Sequence, residues 1–145
     1  MRPTNDDDGT ILVLVLGFVA VLLVLVAVVA DVSAVILAKR GAASAADGAA
    51  IAAAQQLDTG VVYDRGLGSA IPLSPDLVQQ VVATYGAQAA IAQRGLQLTA
   101  EVDSAQTTAT VLATRTVALP FTGWLGVGSV TVTAVAHARA PLVAP

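Results

Sequence analysis

The pattern of apolar and polar positions changes twice along the chain. Residues 10–30 (TILVLVLGFVAVLLVLVAVVA) carry no charge, residues 31–57 are dominated by alanine, and residues 58–145 mix shorter helical and alternating patterns. A helix of 21 residues, at about 1.5 Å per residue, crosses a hydrocarbon core roughly 30 Å thick. The first region therefore predicts one transmembrane helix, preceded by a flexible acidic N-terminus over residues 1–9.

A cleaved signal peptide is the alternative explanation of the apolar run. The apolar part of a signal peptide usually has about 7–15 residues and follows a basic start. Here the run is longer, and aspartates occupy positions 6–8 before it, so we expect the segment to be retained. Comparing Arg2 on one side with Lys39 and Arg40 on the other slightly favours a cytoplasmic C-terminal side.

The alanine-rich region predicts a helical continuation of the membrane span. No proline occurs between Pro3 and Pro72, and alanine is the best helix former. We therefore expect one helix from Thr10 to Leu57. Alanines recur along it in steps of four, a spacing that lets helices approach closely. These are the predicted helix-packing and assembly residues Ala30, Ala34, Ala38, Ala42, Ala46, Ala50 and Ala54. The stripe either packs on the protein's own domain or packs against copies of itself or related subunits.

The C-terminal region predicts a small αβ domain after a linker at residues 58–74. Ser74 and Pro75 are typical of a helix start, and Gly95 closes the helix that follows. The apolar period then becomes two over residues 96–103, 107–119 and 129–139, which predicts a three-stranded antiparallel sheet. The predicted fold class is α+β: a long N-terminal transmembrane helix with a helical extension, then a small helix and this sheet.

An apolar connection, PFTGWLGVG, lies between the second and third predicted strands. It contains Phe121 and Trp124 among three glycines. The two aromatic side chains either fill the core of the domain or form an exposed apolar contact for a partner or for the membrane.

The composition provides few residues that could form a catalytic or metal-binding site. The chain has no cysteine, which excludes disulfides and thiol catalysis, and its net charge of −3 gives no sign of a nucleic-acid partner. His137 is the only histidine and falls on the polar side of the last strand, and Glu101 and Asp103 share a strand face without further catalytic groups. We therefore expect no enzyme activity, no cofactor and no metal site.

Three short motifs near the N-terminus resemble a known family. They are Val29-Ala30-Asp31 at the end of the apolar run, Ala38-Lys39-Arg40, and an alanine-rich segment around Asp47 (AADGAA). In this order they resemble the N-terminal region of the TadE/TadG-like proteins of the Tad (tight adherence, Flp-type) pilus system. The resemblance makes Asp31 and Asp47 motif residues and implies a single-pass protein of the cell membrane with an extracytoplasmic C-terminal domain, against the charge count.

The same resemblance implies a pilin-like stalk and a non-catalytic role in pilus assembly. A glutamate typical of processed pilins does not follow Gly9, which favours a minor pilin or pseudopilin-like component whose N-terminus is not processed. The implied partners are the lipid bilayer and other pilus or secretion-system subunits, with possible self-association. The competing hypothesis is a membrane-tethered binding module whose αβ domain recognises a soluble partner.

Overall fold

The computed structural model of the chain describes residues 7–60, 63, 72–123, 126 and 128–140. Its helices and strands follow one another as α1 (Asp7–Ala53), α2 (Pro75–Ala92), β1 (Leu96–Val102), β2 (Thr108–Ala118) and β3 (Ser129–Arg139). A long apolar helix, a short helix and a three-stranded antiparallel sheet confirm the predicted α+β class.

Helix α1 runs for 47 residues without a break and passes through two environments. Within the described residues, the segment Gly9–Ala53 is the one helix with the length and composition to cross a membrane, and no other part of the chain covers its most apolar stretch. The alanine-rich upper part, by contrast, packs against α2 and against the face of the sheet formed by β2 and β3. One continuous helix therefore combines a stretch that is able to cross a membrane with the core helix of the domain.

The upper end of α1 differs from the prediction. The helix ends at Ala53, four residues before Leu57. Leu57 instead forms a β-bridge with Leu73, the amide of Asp58 donates a hydrogen bond to the carbonyl of Pro72 at 2.8 Å, and the amide of Ser74 donates to the carbonyl of Gln56 at 2.9 Å. Because these backbone groups bond to the chain returning into α2, they are not available to extend the helix. Much of the predicted linker lies outside the described residues.

The sheet has the strand order β1-β2-β3, and both neighbouring pairs are antiparallel. The predicted alternation is confirmed: Leu96, Leu98, Ala100 and Val102 face inwards on β1, and every second residue from Val130 does so on β3. Both helices lie on this inner face, so the domain has two layers. The opposite face is rich in threonine and more exposed.

Two glycines of α1 set the position of α2. A Cβ atom on Gly41 would lie 2.7 Å from Oε1 of Gln93, and one on Gly48 would collide with the hydroxyl of Tyr85 and lie 2.9 Å from its Cζ. Gln93 follows the end of α2 and Tyr85 lies within it, so α2 runs antiparallel to α1. The end of α2 and the start of β1 therefore lie towards the membrane part of α1.

Candidate functional site at the membrane-proximal end of the domain

Among the residues that the structure describes, Asp31 is the one charged residue that is buried, with 3% of its surface exposed. Its carboxylate accepts three hydrogen bonds from the connection between β2 and β3. The amide of Phe121 donates to Oδ1 at 3.3 Å, and the amide and hydroxyl of Thr122 both donate to Oδ2, at 2.8 and 2.7 Å. A carboxylate can accept several such bonds, and bonds to a charged group are stronger than those between neutral groups. This Asp31–Thr122 contact fastens the domain to the helix.

The local sequence explains why the carboxylate and the loop meet. The β2–β3 loop, residues 119–128, is closed at its base by the amide of Leu119, which donates to the carbonyl of Gly128 at 3.0 Å. The amides of Phe121 and Thr122 lie beyond the last backbone pair that the structure describes between the two strands, so they need another acceptor. Asp31 supplies it from about 90 residues earlier in the chain.

The turn of α1 that follows Asp31 is also satisfied internally. The hydroxyl of Ser33 donates to the carbonyl of Val29 at 2.7 Å, which is the usual way for a serine to hide its hydrogen bond within a helix. The larger neighbours Val32, Ile36 and Leu37 are apolar and exposed. Uncovered apolar surface therefore continues along α1 beyond the predicted span of residues 10–30.

Two apolar grooves flank the Asp31–Thr122 contact. One of about 300 Å³ is lined mainly by valines of α1 together with Leu119, Thr122 and Val130. The other, of about 360 Å³, lies between residues 23–28 of α1 and Pro120, Phe121 and Thr122. Phe121 is 50% exposed, so it does not fill the core of the domain. Trp124, the other aromatic residue of the predicted loop, lies outside the described residues.

The predicted stripe of small residues is mostly covered within the chain. Ala38, Ala42, Ala46, Ala50 and Ala54 are buried, and the three central ones belong to the core that α1 shares with α2 and the sheet. Ala30 and Ala34 are half-buried. The stripe thus packs on the protein's own domain, as one of the two sequence hypotheses expected. Its use in contacts with another chain stays a prediction, for which Ala30 and Ala34 are the accessible members.

The two motif aspartates have different surroundings. Asp31 is buried by the β2–β3 loop, whereas Asp47 is exposed on the outer side of α1. Sequence reasoning identified both but missed Thr122, which contributes two of the three hydrogen bonds to Asp31. The partner is too distant along the chain for any local pattern to indicate it.

The residues considered for catalysis are engaged in the sheet. Nδ1 of the exposed His137 lies 2.9 Å from the hydroxyl of Thr110 on the neighbouring strand. Asp103 closes the β1–β2 turn, where the backbone amide of Thr108 foremost, and then the amide and hydroxyl of Thr107, hold the pKa of its carboxyl below the ordinary value. Among the residues that the structure describes, no group of three or more His, Cys, Asp or Glu side chains could hold a metal ion.

Comparison with known proteins supports the motif-based resemblance. Residues 9–56 match the model of one protein family, described as "Putative Flp pilus-assembly TadE/G-like". No curated protein and no solved structure matches the chain. The matched segment begins at the start of the apolar run, contains both motif aspartates and ends just after α1. Over its apolar helix and the alanine-rich continuation, residues 9–56, this chain is therefore similar to the Tad proteins of the TadE/G-like type, as its motifs predicted.

Proposed function

We propose that this chain is a membrane-anchored structural or assembly component of a Tad-type pilus or secretion system. In this proposal it is a non-catalytic, minor-pilin or pseudopilin-like subunit with its C-terminal domain on the extracytoplasmic side. The match over residues 9–56 supports a role in pilus assembly. A family of this kind implies contacts with other pilus subunits.

The observation that carries the proposal is the continuity of α1. The same helix that leaves the apolar segment forms one wall of the domain core, and the Asp31–Thr122 contact holds the domain to that helix a second time. A binding module on a tether needs only a flexible linker. A domain fixed rigidly to its membrane helix moves whenever the helix is moved, which is what a subunit incorporated into an assembly requires.

The uncovered face of α1 is the surface we propose for contacts with other subunits. In the upper half of the helix, Ser44, Asp47 and Ile51 are exposed at helical spacing, and Ile51 is a large apolar residue. In the lower half, a Cβ atom on Gly17 would meet nothing within 4 Å. A neighbouring helix can approach closely at such a glycine.

Cysteine cross-linking in native membranes tests this proposal, because the chain has no cysteine of its own. Single cysteines at Ser44, Asp47 and Ile51, and along residues 11–25, are expected to give cross-links to pilus subunits or to a second copy at helical spacing. Ala50→Cys is the matched control, because its side chain is buried in the domain and should not react. Absence of cross-links at every exposed position, in cells that still assemble the pilus, would favour the tethered binding module.

A pair of substitutions in the membrane helix gives a functional readout of the same proposal. Gly17→Leu adds a side chain into open space and should leave the protein itself folded and inserted. It is expected to reduce cross-linking and pilus assembly if a helix packs there, whereas Val19→Leu, at an exposed position on the opposite side of the helix, should change neither. Equal behaviour of the two variants would remove Gly17 from the proposed contact surface.

A further inference from the structure

The apolar surface of α1 does not stop at Asp31. The carboxylate of Asp31 is buried and bonded to the β2–β3 loop, and the hydroxyl of Ser33 is bonded within the helix. No other charged side chain occurs before Lys39. Residues 10–38 thus form 29 positions without a free charge, about 43 Å of helix, which equals the thickness of a bilayer including its headgroup layers.

The exposed side chains beyond Asp31 are suited to lipid and unsuited to water. Leu37 is 72% exposed, and Val32 and Ile36 are about half exposed. They lie within about two turns of the predicted end of the span at residue 30. This exposed apolar surface continues the uncovered apolar helix, and no free charge separates the two. The same bilayer is therefore the simplest cover for both.

The β2–β3 loop lies beside this part of the helix. One groove lies between the loop and the predicted span. It is lined by Pro120, Phe121 and Thr122 of the loop and by four residues from within the span of residues 10–30, Leu23, Val24, Ala27 and Val28. The whole loop, residues 119–128, contains no charged residue. The half-exposed ring of Phe121 therefore stands at the depth of the membrane span rather than above it.

Positive charge surrounds the chain just above this level. Lys39 and Arg40 are exposed on α1, and the side-chain amide of Gln93 donates to the carbonyl of Gly41 at 3.3 Å, which brings the end of α2 to the same height. Arg94 follows Gln93 in the chain, and Nη1 of Arg115 lies 3.5 Å from Oε1 of Gln93. Four of the seven basic residues of the chain thus lie at the height of residues 39–41, within about one turn of α1 along the helix axis.

The negative charges of the sheet lie at its other end. Glu101 lies at the end of β1 that is remote from Gln93, and Asp103 follows it in the β1–β2 turn. The base of the domain is therefore basic, whereas its top carries Asp103 and Glu101 together with Arg139, which lies opposite Thr108. Basic residues next to a membrane helix are attracted to phospholipid headgroups, and their long stems reach from the apolar layer to the surface.

From these placements we propose that the bilayer surface meets the chain at residues 39–41, and that the described start of the β2–β3 loop, residues 119–123, is a second membrane-inserted element beside α1. Acyl chains fill the two grooves, and the exposed basic side chains Lys39, Arg40 and Arg94 face the headgroups. The Asp31–Thr122 contact then lies about 12 Å below this surface, beneath the headgroup layer, where a free carboxylate and free amides would be costly. This inference rests on the membrane anchoring of α1 and does not depend on the role in pilus assembly.

Tryptophan fluorescence in vesicles with brominated lipids tests the proposal. Trp124 is the only tryptophan, so Trp124→Phe gives a silent background in which one new tryptophan reports its own depth. The test positions are Phe121→Trp and Leu37→Trp. Phe18→Trp, at an exposed site within the span, is the deep control, and Leu77→Trp, exposed at the far end of α2, is the aqueous control. Each protein is reconstituted as the full chain in phosphatidylcholine vesicles brominated at shallow or deep acyl positions.

We expect both test tryptophans to emit at short wavelength. Leu37→Trp, which lies close below the surface, should lose at least half of its intensity to shallow bromines. Phe121→Trp, which lies beside residues 23–28 in the middle of the span, should lose at least half of its intensity to deep bromines. Phe18→Trp should respond most to deep bromines, and Leu77→Trp to neither. If the Phe121 and Leu37 reporters behave like Leu77→Trp while Phe18→Trp is quenched, the proposal is overturned although α1 remains a membrane helix. Short-wavelength emission without quenching, lost on dilution of the protein in lipid, would assign the loop to a second copy and also overturn it.

Leu37→Trp provides a second measurement that leaves the loop unchanged. Failure of Phe121→Trp to fold would therefore not protect the proposal, because an unquenched Leu37→Trp in the folded protein would contradict a bilayer surface at residues 39–41.

Discussion

Removal of the Asp31 carboxylate should release the β2–β3 loop without unfolding the sheet. In Asp31→Ala, the amides of Phe121 and Thr122 and the hydroxyl of Thr122 lose their common acceptor. A hydrogen bond to a charged group contributes about 1.5–3 kcal/mol. The contact from Phe121 is long, so we count the two bonds from Thr122 at the low end of this range and expect a loss of about 3 kcal/mol.

Amide hydrogen exchange in lipid nanodiscs, read by mass spectrometry, measures this loss. Because each 1.4 kcal/mol corresponds to a factor of ten, the amides of Phe121 and Thr122 should exchange roughly a hundredfold faster in Asp31→Ala. Amides in the middle of β2, such as that of Val111, should keep their protection. Asp47→Ala is the matched control, since it removes the other motif aspartate from an exposed site. The reasoning is refuted if the loop amides exchange equally fast in both variants and the wild type.

Three further substitutions test the interior and the turn of the domain. Gly48→Ala should lower the free energy of unfolding in urea by about 1 kcal/mol despite its gain in helix propensity, because the new methyl overpacks against Tyr85. In a chain that carries Tyr85→Leu, the same substitution should be stabilising, and if it is still destabilising there, the collision with Tyr85 is not the cause. Ala46→Leu should cost about 1–3 kcal/mol because the site is buried, while Ser44→Leu on the exposed side stays within about 0.5 kcal/mol, and equal melting temperatures would contradict this packing. Asp103→Asn should be less stable than the wild type at neutral pH. Because the pKa of Asp103 in the folded state is lowered below 3.8, this difference in stability is fully present above pH 3.8 and should fade in acid unfolding as the pH falls below 3.8. A difference in stability that persists in acid would contradict the role of the ionised Asp103 carboxylate.

The elements that depend on local pattern could be predicted from the sequence. The apolar run and the alanine-rich segment gave α1, Ser74 and Pro75 gave the start of α2, and the alternation of β3 gave its observed limits, residues 129–139. Ser74 lies where an N-cap was expected, although its side chain makes no capping hydrogen bond. These signals are properties of neighbouring residues, which is why no tertiary knowledge was needed.

The elements that depend on distant partners could not be predicted. The end of α1 is set by the bridge between Leu57 and Leu73, and the environment of Asp31 is set by Thr122. The alanine stripe illustrates the same limit. Its spacing predicts close packing, but the spacing does not say whether the neighbour is the chain's own sheet or another helix.

The strand that covers α1 is made long after the helix itself. At about 5–20 residues per second, several seconds of synthesis separate the alanine-rich face from β3, which packs on it. During that interval the face is unpaired. A leucine in place of each alanine would add three carbons, about 2.4 kcal/mol of attraction per site for any passing apolar surface. The alanine face therefore attracts other apolar surfaces only weakly until β3 has been synthesised. The same small side chains that limit the apolar area of the finished core thus protect the nascent chain from premature association.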